Sequence, residues 1–295
     1  MVEEFTRTFE VINTVQSGLI LVVNLSLFIL LVSRRSLRVR ASNQLFGHLQ
    51  LIHMTIGLLR VVSSYKISTD ISSNVLLISM FASLLLTSGD RLFALKCPLK
   101  YKLVTGKMVV RLIIASWIPS LMFTVVAHVS DVGGGEMRII HTVLIAIAAT
   151  VLAVCNVIIY VVVRDHQKFV RKNSYVPPKK GRFAMKGSRR KRTSSLKASY
   201  ICLAIVLNFI VFWLPHCVHD IIELTSQLLI SPNLDVLDIV VKQLTLLNSF
   251  TDPILFVCLS TKTQMEIKKI FKFLAQQKDH VKESSRSDYS ETRLK

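Results

Sequence analysis

The sequence predicts an all-α protein, a bundle of seven membrane-spanning helices followed by an amphipathic helix lying on the membrane surface. Three observations carry this. The 295 residues are 51% hydrophobic and only 19% charged, with a mean hydropathy of +0.50. The apolar residues fall in blocks of the roughly 20 residues needed to cross a bilayer's hydrocarbon core. The basic residues, which give a net charge of +19, are confined between those blocks, so the high pI does not point to nucleic acid. The expected organisation is a short outer N-terminus at 1–10, a bundle at 11–260 with a basic inner segment at about 164–197, a surface helix at 261–276 and a disordered tail at 277–295.

The first block, about Phe9 to Val32, is followed by Arg34, Arg35, Arg38 and Arg40. That basic flank places its C-terminal end in the cytoplasm and the N-terminus outside. The start carries Glu3, Glu4 and Glu10 rather than a basic run, so it does not read as a cleaved signal peptide. The second block covers about Ser42 to Val62 and the third about Ile67 to Leu95, ending in Asp90–Arg91 and Cys97–Pro98–Leu99–Lys100–Tyr101. The fourth, about Met108 to Val129, holds Trp117 and Pro119. A turn at Gly133–Gly134–Gly135 leads to the fifth, about Arg138 to Val163. The sixth and seventh cover about Ala198 to Thr225 and Leu234 to Leu259.

Charge tests this topology independently. Its outer segments hold Arg7, Arg60, Lys66, Arg138 and Lys242, five of the 37 Lys and Arg residues, leaving 32 inside. The inner segment Arg164 to Lys197 carries 13 basic residues against Asp165, with Pro177–Pro178, and should be a self-repelling mobile loop with helical extensions at its ends. It can face anionic lipid, and Arg192–Thr193–Ser194–Ser195 suits a basophilic kinase. From Lys262 to Gln276, Met265, Ile267, Ile270, Phe271 and Leu274 fall mostly on one side, with Lys268, Lys269 and Lys272 beside them, as in a helix lying on the inner leaflet. Five cysteines (97, 155, 202, 217, 258) show no metal-type spacing and no disulfide framework.

Motifs on separate blocks then narrow the class. Asp90–Arg91 ends the third block, Phe212–Trp213–Leu214–Pro215 sits deep in the sixth, and Asn248–Ser249–Phe250–Thr251–Asp252–Pro253–Ile254–Leu255–Phe256 closes the seventh. These resemble the Asp-Arg-Tyr, Cys-Trp-x-Pro and Asn-Pro-x-x-Tyr motifs of rhodopsin-like G-protein-coupled receptors. Leu92, Phe212, Asp252 and Phe256 depart from the pattern. Asn24, Trp117 and Tyr160 match further landmarks, and the joint match covers about residues 11 to 275. The resemblance implies a plasma-membrane receptor with no cofactor, an extracellular small-molecule or peptide ligand, and a heterotrimeric G protein as partner. Kinases and arrestin would act at the third inner loop and tail. It also implies switch roles for Asp90, Arg91, Pro98, Tyr160, Trp213, Pro215, Asp252, Pro253 and Phe256. Activation would move the sixth helix outward about the proline, which removes one backbone hydrogen bond.

Asn24, His53, Asn248 and Asp252 are polar groups near mid-depth of four spans, where such groups normally satisfy one another inside the bundle. His53 occupies the position of the family's sodium-binding aspartate. A His53–Asp252 pair in its place is either a structural hydrogen-bond cluster or a pH-sensitive switch, since imidazole changes charge near neutrality. Ser194 and Ser195 stand where the family carries a glutamate locking the sixth helix to Arg91, which predicts ligand-independent signalling. The outer pocket would involve Ser73, His216, His219, Asp220 and Thr245. Ser73 replaces the ammonium-binding aspartate of amine receptors, and the i, i+3 histidines are read as pocket groups rather than metal ligands. Lys66 stands where the family's disulfide cysteine would be, and Ser130 to Arg138 holds no cysteine, which suggests an open mouth. Pro98–Leu99–Lys100–Tyr101 with Leu103–Val104–Thr105–Gly106 is similar to adenosine receptors. Asp252–Pro253 and the short second outer loop are similar to melanocortin receptors. Neither resemblance assigns a ligand.

Other classes lack parts. There is no Gly-rich phosphate loop, nucleophile elbow or facing metal-ligand set for an enzyme. A transporter would show repeated, broken helices, an opsin would need a lysine within Leu244 to Leu259, and a channel-type chemoreceptor would usually be inverted, against the Arg34–Arg40 flank.

Overall fold

The computed structural model describes residues 2–63, 70–129, 134–173, 182–226 and 234–292. Among them there is no strand. Ten helices run α1 Val2–Ser33, α2 Arg35–Arg38, α3 Ala41–Ser63, α4 Asp70–Lys96, α5 Pro98–Tyr101, α6 Gly106–Val129, α7 Gly134–Asn173, α8 Arg182–Ser226, α9 Leu234–Leu259 and α10 Thr261–Thr292. Seven are long and form the bundle; α2 and α5 are single-turn connectors, and α10 turns away at 86° from the apolar end of α9.

Hydropathy and burial agree that the bundle lies in a membrane. Six helices carry apolar stretches long enough to cross one, Val11–Ser33, Ala41–Val62, Val75–Lys96, Gly106–Phe123, Thr142–Asp165 and Ser199–His219, and the stretch in α9, Gln243–Leu259, is somewhat shorter. The usual burial pattern is inverted. Ile114, Val157 and Leu207 are more than 60% exposed, while Asn24, His53, Asn248 and Asp252 are sealed at 0%. In water that would waste the apolar surface, whereas hydrocarbon accepts the outer side chains and drives the polar ones inward. The protein is a multi-pass membrane protein.

α1, α3, α4, α7, α8 and α9 close a ring, with α6 packed on α3 and α4. α1 packs on α3 and α9, α3 on α4, α7 on α8, and α8 on α9, while α4 also touches α6, α7 and α8. Phe46 of α3 stacks on Phe256 of α9 at 3.9 Å, and Phe81 of α4 meets Phe209 of α8 edge-on at 4.8 Å, so aromatic pairs join the helices that carry the candidate site. α1 and α3 approach closely at Gly57. A Cβ on Gly57 would lie 3.1 Å from the Ser17 carbonyl oxygen and 3.2 Å from Ile20.

Four expectations change. Gly134 and Gly135 open α7 instead of forming a turn, and Gly133 lies outside the described residues. The basic stretch 164–197 is largely helical, because α7 continues to Asn173 and α8 begins at Arg182; Pro177–Pro178 fall outside the described residues. α10 does not end at 276 but runs to Thr292, through most of the segment expected to be disordered. Residues 261–292 contain neither glycine nor proline, so nothing in the backbone stops a helix once started. α1 likewise extends outward to Val2.

Gly57→Leu should force α1 and α3 apart, an overpacking cost of about 1–3 kcal/mol. Thermal unfolding of the detergent-solubilised protein should show a lowered Tm. Gly18→Leu, where a Cβ meets nothing within 4 Å, should leave the Tm unchanged.

Candidate functional site

At the inner rim, α4 ends in a hydrogen-bonded ring around Arg91. Its Nε donates to Asp90 Oδ2 at 3.0 Å, and its Nη2 donates to Asp90, to Ser42 Oγ and, at 3.0 Å, to Tyr101 OH. Tyr101 OH in turn donates to Asp90 Oδ1 at 2.9 Å. Cys97 breaks α4, and Pro98 at the first position of α5 starts the turn that brings Tyr101 back. The guanidinium also lies 5.9 Å from the Tyr101 ring centroid. Burial, and then the Asp90 carboxylate, push the Tyr101 phenol above its ordinary range against the opposing pull of Arg91, so it remains a donor. Arg91 is 4% exposed, and all its hydrogen-bond partners lie on α3, α4 and α5. Among the described residues no acid of α8 holds it.

The ring faces a cavity of about 270 Å³ between α3, α4, α8, α9 and α10. Arg40, Arg91, Lys197 and Lys262 line it with no carboxylate, beside Cys202 and Phe256. Burial, and then the neighbouring Arg91 charge, lower the pKa of Arg40. This is a cationic recess with the hydrogen-bonded Arg91 at its wall.

Deeper in the bundle, three helices meet through polar groups. His53 Nε2 of α3 lies 3.2 Å from Asp252 Oδ2 of α9, and both side chains are sealed from solvent. One proton therefore sits between them. Asn208 of α8 donates to Asp252 Oδ1 at 2.9 Å, to Asn248 Oδ1 at 2.9 Å and to Thr251 Oγ1 at 2.8 Å. An amide has two hydrogens for these three acceptors, so the network has more than one arrangement. Asn24 of α1 donates to the Ser249 carbonyl at 2.9 Å, binding α1 to the same part of α9. Pro253 follows at once and frees a backbone carbonyl in this region.

A second histidine has a single-valued role. Trp117 Nε1 of α6 donates to His48 Nε2 at 2.8 Å, and an indole can only donate. His48 is therefore neutral with its proton on Nδ1, which reaches Ser83 Oγ of α4 at 3.1 Å. Nearer the outer face, Phe209 stacks on Trp213 at 5.6 Å and Trp213 packs on His216 at 5.3 Å, around the helix-breaking Pro215.

The structure thus brings Asp90 and Arg91 together, and likewise Asn24, His53, Asn248 and Asp252. Phe256 is buried against Phe46 and joins the inner cavity. Tyr160 does not join them: it is 51% exposed on the outer face of α7, because the helix turns its side chain toward lipid. Of the expected outer pocket, His219 and Thr245 are buried and His216 contacts Trp213. The side chains of Ser73, Asp220, Ser194 and Ser195, and all of Lys66, lie outside the described residues. All five cysteines are free thiols. Sequence reasoning missed Asn208, His48 and Ser42. An asparagine inside the apolar run Leu203–Trp213 was the available signal for the first.

Residues 135–256 match the model of the 7 transmembrane receptor (rhodopsin family). The match takes in α7, α8 and most of α9, with Asn208, Trp213, Pro215, Asn248 and Asp252, and leaves the Asp90–Arg91 ring outside it. No curated protein matches the chain.

His48→Leu should destabilise the protein by about 1–3 kcal/mol, because it leaves the Trp117 N–H and Ser83 hydroxyl buried without this partner. Thermal unfolding in detergent checks this, and the double variant His48→Leu/Trp117→Phe should cost less than the sum of the two single variants.

Proposed function

We propose that the protein is a rhodopsin-like G-protein-coupled receptor of the plasma membrane, with its N-terminus outside. An extracellular small molecule or short peptide binds above Trp213, and the inner cavity opens to a heterotrimeric G protein. The observation that carries this reading is the Arg91 ring. A buried guanidinium is held by Asp90, Tyr101 and Ser42, none of them on α8, at the edge of a cavity whose other wall is α8. Outward movement of α8 about Pro215 widens that cavity without breaking an ion pair to α8. Arg91 then trades its ring for acceptors on the partner, and the four lining cations favour a partner segment rich in carboxylates.

A ligand acts by differential affinity for the closed and open bundles. Trp213 and Phe209 lie on α8 between the outer mouth and Asn208, so a shift of this helix reaches the Asn208–Asp252–His53 network directly. The polar core is the element with two arrangements, and its shared proton makes activation pH-dependent. Kinases acting on the basic inner segment and tail, with arrestin following, would end the signal. The likeness of the second inner loop to adenosine receptors, and of Asp252–Pro253 to melanocortin receptors, leaves the ligand class between an adenosine-like molecule and a short peptide.

Arg91→Ala should abolish nucleotide exchange on the G protein while surface expression, read with an N-terminal epitope tag on intact cells, persists. Unchanged coupling, or a tag reached only after permeabilisation, would overturn the proposal. Tyr101→Phe removes two hydrogen bonds of the resting ring and should raise ligand-independent exchange roughly fivefold, the equivalent of about 1 kcal/mol. Wild-type activation should shift between about pH 6 and 8, and that shift should vanish in His53→Asn. Superimposable pH curves for the two proteins would leave His53–Asp252 a purely structural pair.

A further inference from the structure

We propose that the groove between α1, α9 and α10 holds an acyl chain of an anionic phospholipid from the inner leaflet, with its phosphate bound by the basic side chains at the groove's inner end. The groove encloses about 470 Å³ and runs along α1 from Val22 to Leu30, past Ile254 and Cys258 of α9, to Ile267 and Phe271 of α10. Its lining is nearly all apolar. The Ser26 hydroxyl is already satisfied, donating to the Val22 carbonyl at 2.7 Å, so it asks nothing of an occupant. At 1.5 Å per residue the α1 wall is roughly 12 Å long, against about 15 Å for half of a bilayer's hydrocarbon. The concavity thus has the depth of one leaflet, and α10, leaving α9 at 86°, forms its floor.

The charges around that floor decide the headgroup. Arg34, Arg35 and Arg38 follow α1, and Lys268, Lys269 and Lys272 lie on α10, all exposed. α10 is tied to this end of α1 by Glu266, which accepts from Lys269 Nζ at 2.9 Å and Ser36 Oγ at 3.1 Å. The hydrogen bond from Lys269 holds the Glu266 carboxyl below its usual range, so it stays charged and committed to these donors. No acid among the described residues pairs with Arg35, Arg38, Lys268 or Lys272. A zwitterionic lipid or an uncharged sterol would fill the groove and leave these cations without a counterpart. A soluble protein cannot enter a recess walled by the hydrocarbon-spanning parts of α1 and α9, and a second copy would set the same cations against each other. An anionic lipid satisfies both the apolar recess and the basic rim.

The test uses the full chain reconstituted in vesicles of equal phosphatidylserine and phosphatidylcholine with added cholesterol, then extracted mildly, with co-purifying lipids quantified by mass spectrometry. Wild type should retain phosphatidylserine about fivefold over phosphatidylcholine. Cys258→Trp, or Ile254→Phe should the first variant fail to fold, should at least halve the retained phosphatidylserine by filling the groove. Leu207→Trp, on the exposed face of α8, should not. Lys268→Gln/Lys272→Gln should remove the preference while total bound lipid stays the same. Equal retention of the two phospholipids by wild type, preferential retention of cholesterol, or groove-filling variants that keep their phosphatidylserine would each overturn the proposal. So would a groove-filling variant whose only effect is to split a dimer.

Discussion

Asp252 and His53 meet where no solvent reaches, and the bundle is arranged so that this contact can exist. Hydrocarbon supplies no hydrogen bonds, so polar side chains at that depth turn to one another or to the backbone. His53 finds its partner across the interface from α3 to α9, Asn208 brings α8 to the same carboxylate, and Asn24 ties α1 to the adjacent backbone. These polar groups join four helices, α1, α3 and α9 through single contacts and α8 through an amide that can be satisfied in more than one way. The apolar surfaces around them, Phe46 on Phe256 and Phe81 on Phe209, pack tightly but do not by themselves choose a register.

The same constraint separates what is rigid from what can move. The Trp117–His48–Ser83 chain has one tautomer and one direction of donation, so it pins α6, α3 and α4 together. The Asn208 amide, with two hydrogens for three acceptors, is not single-valued in this way. The contact with alternative arrangements lies on α8 and the single-valued one on α6. The Arg91 ring repeats the pattern at the inner rim, where its partners all belong to the fixed side and α8 is left unpinned.

Beyond the bundle the controlling quantity is charge. Thirteen cations in 164–197 and the lysines of α10 lie at the ends of apolar helices, where an inner leaflet would meet them. The charged groups lining the inner cavity are all cations, and the groove at α1, α9 and α10 opens beside others. Both recesses thus favour negative charge.

How much of this was legible from the chain depends on the range of the interaction. Spanning helices, their order and the turn at Pro98 follow from block length and local backbone chemistry, which depend on neighbours in sequence, although the helices run on through Pro215 and Pro253. The Asp90–Arg91 pair is local as well, being adjacent residues. The face of a helix is not local: Tyr160 turns outward and Asn208 inward by rotations that only packing against other helices sets. The tail misled for a related reason, since its polar composition argued against burial while its lack of glycine and proline still allowed α10 to run on to Thr292. The sequence alone determined that several apolar helices are long enough to cross a membrane, because solvation acts residue by residue. Which polar groups meet inside was decided only by the tertiary structure, because a hydrogen bond between residues 199 positions apart exists only once the bundle has closed.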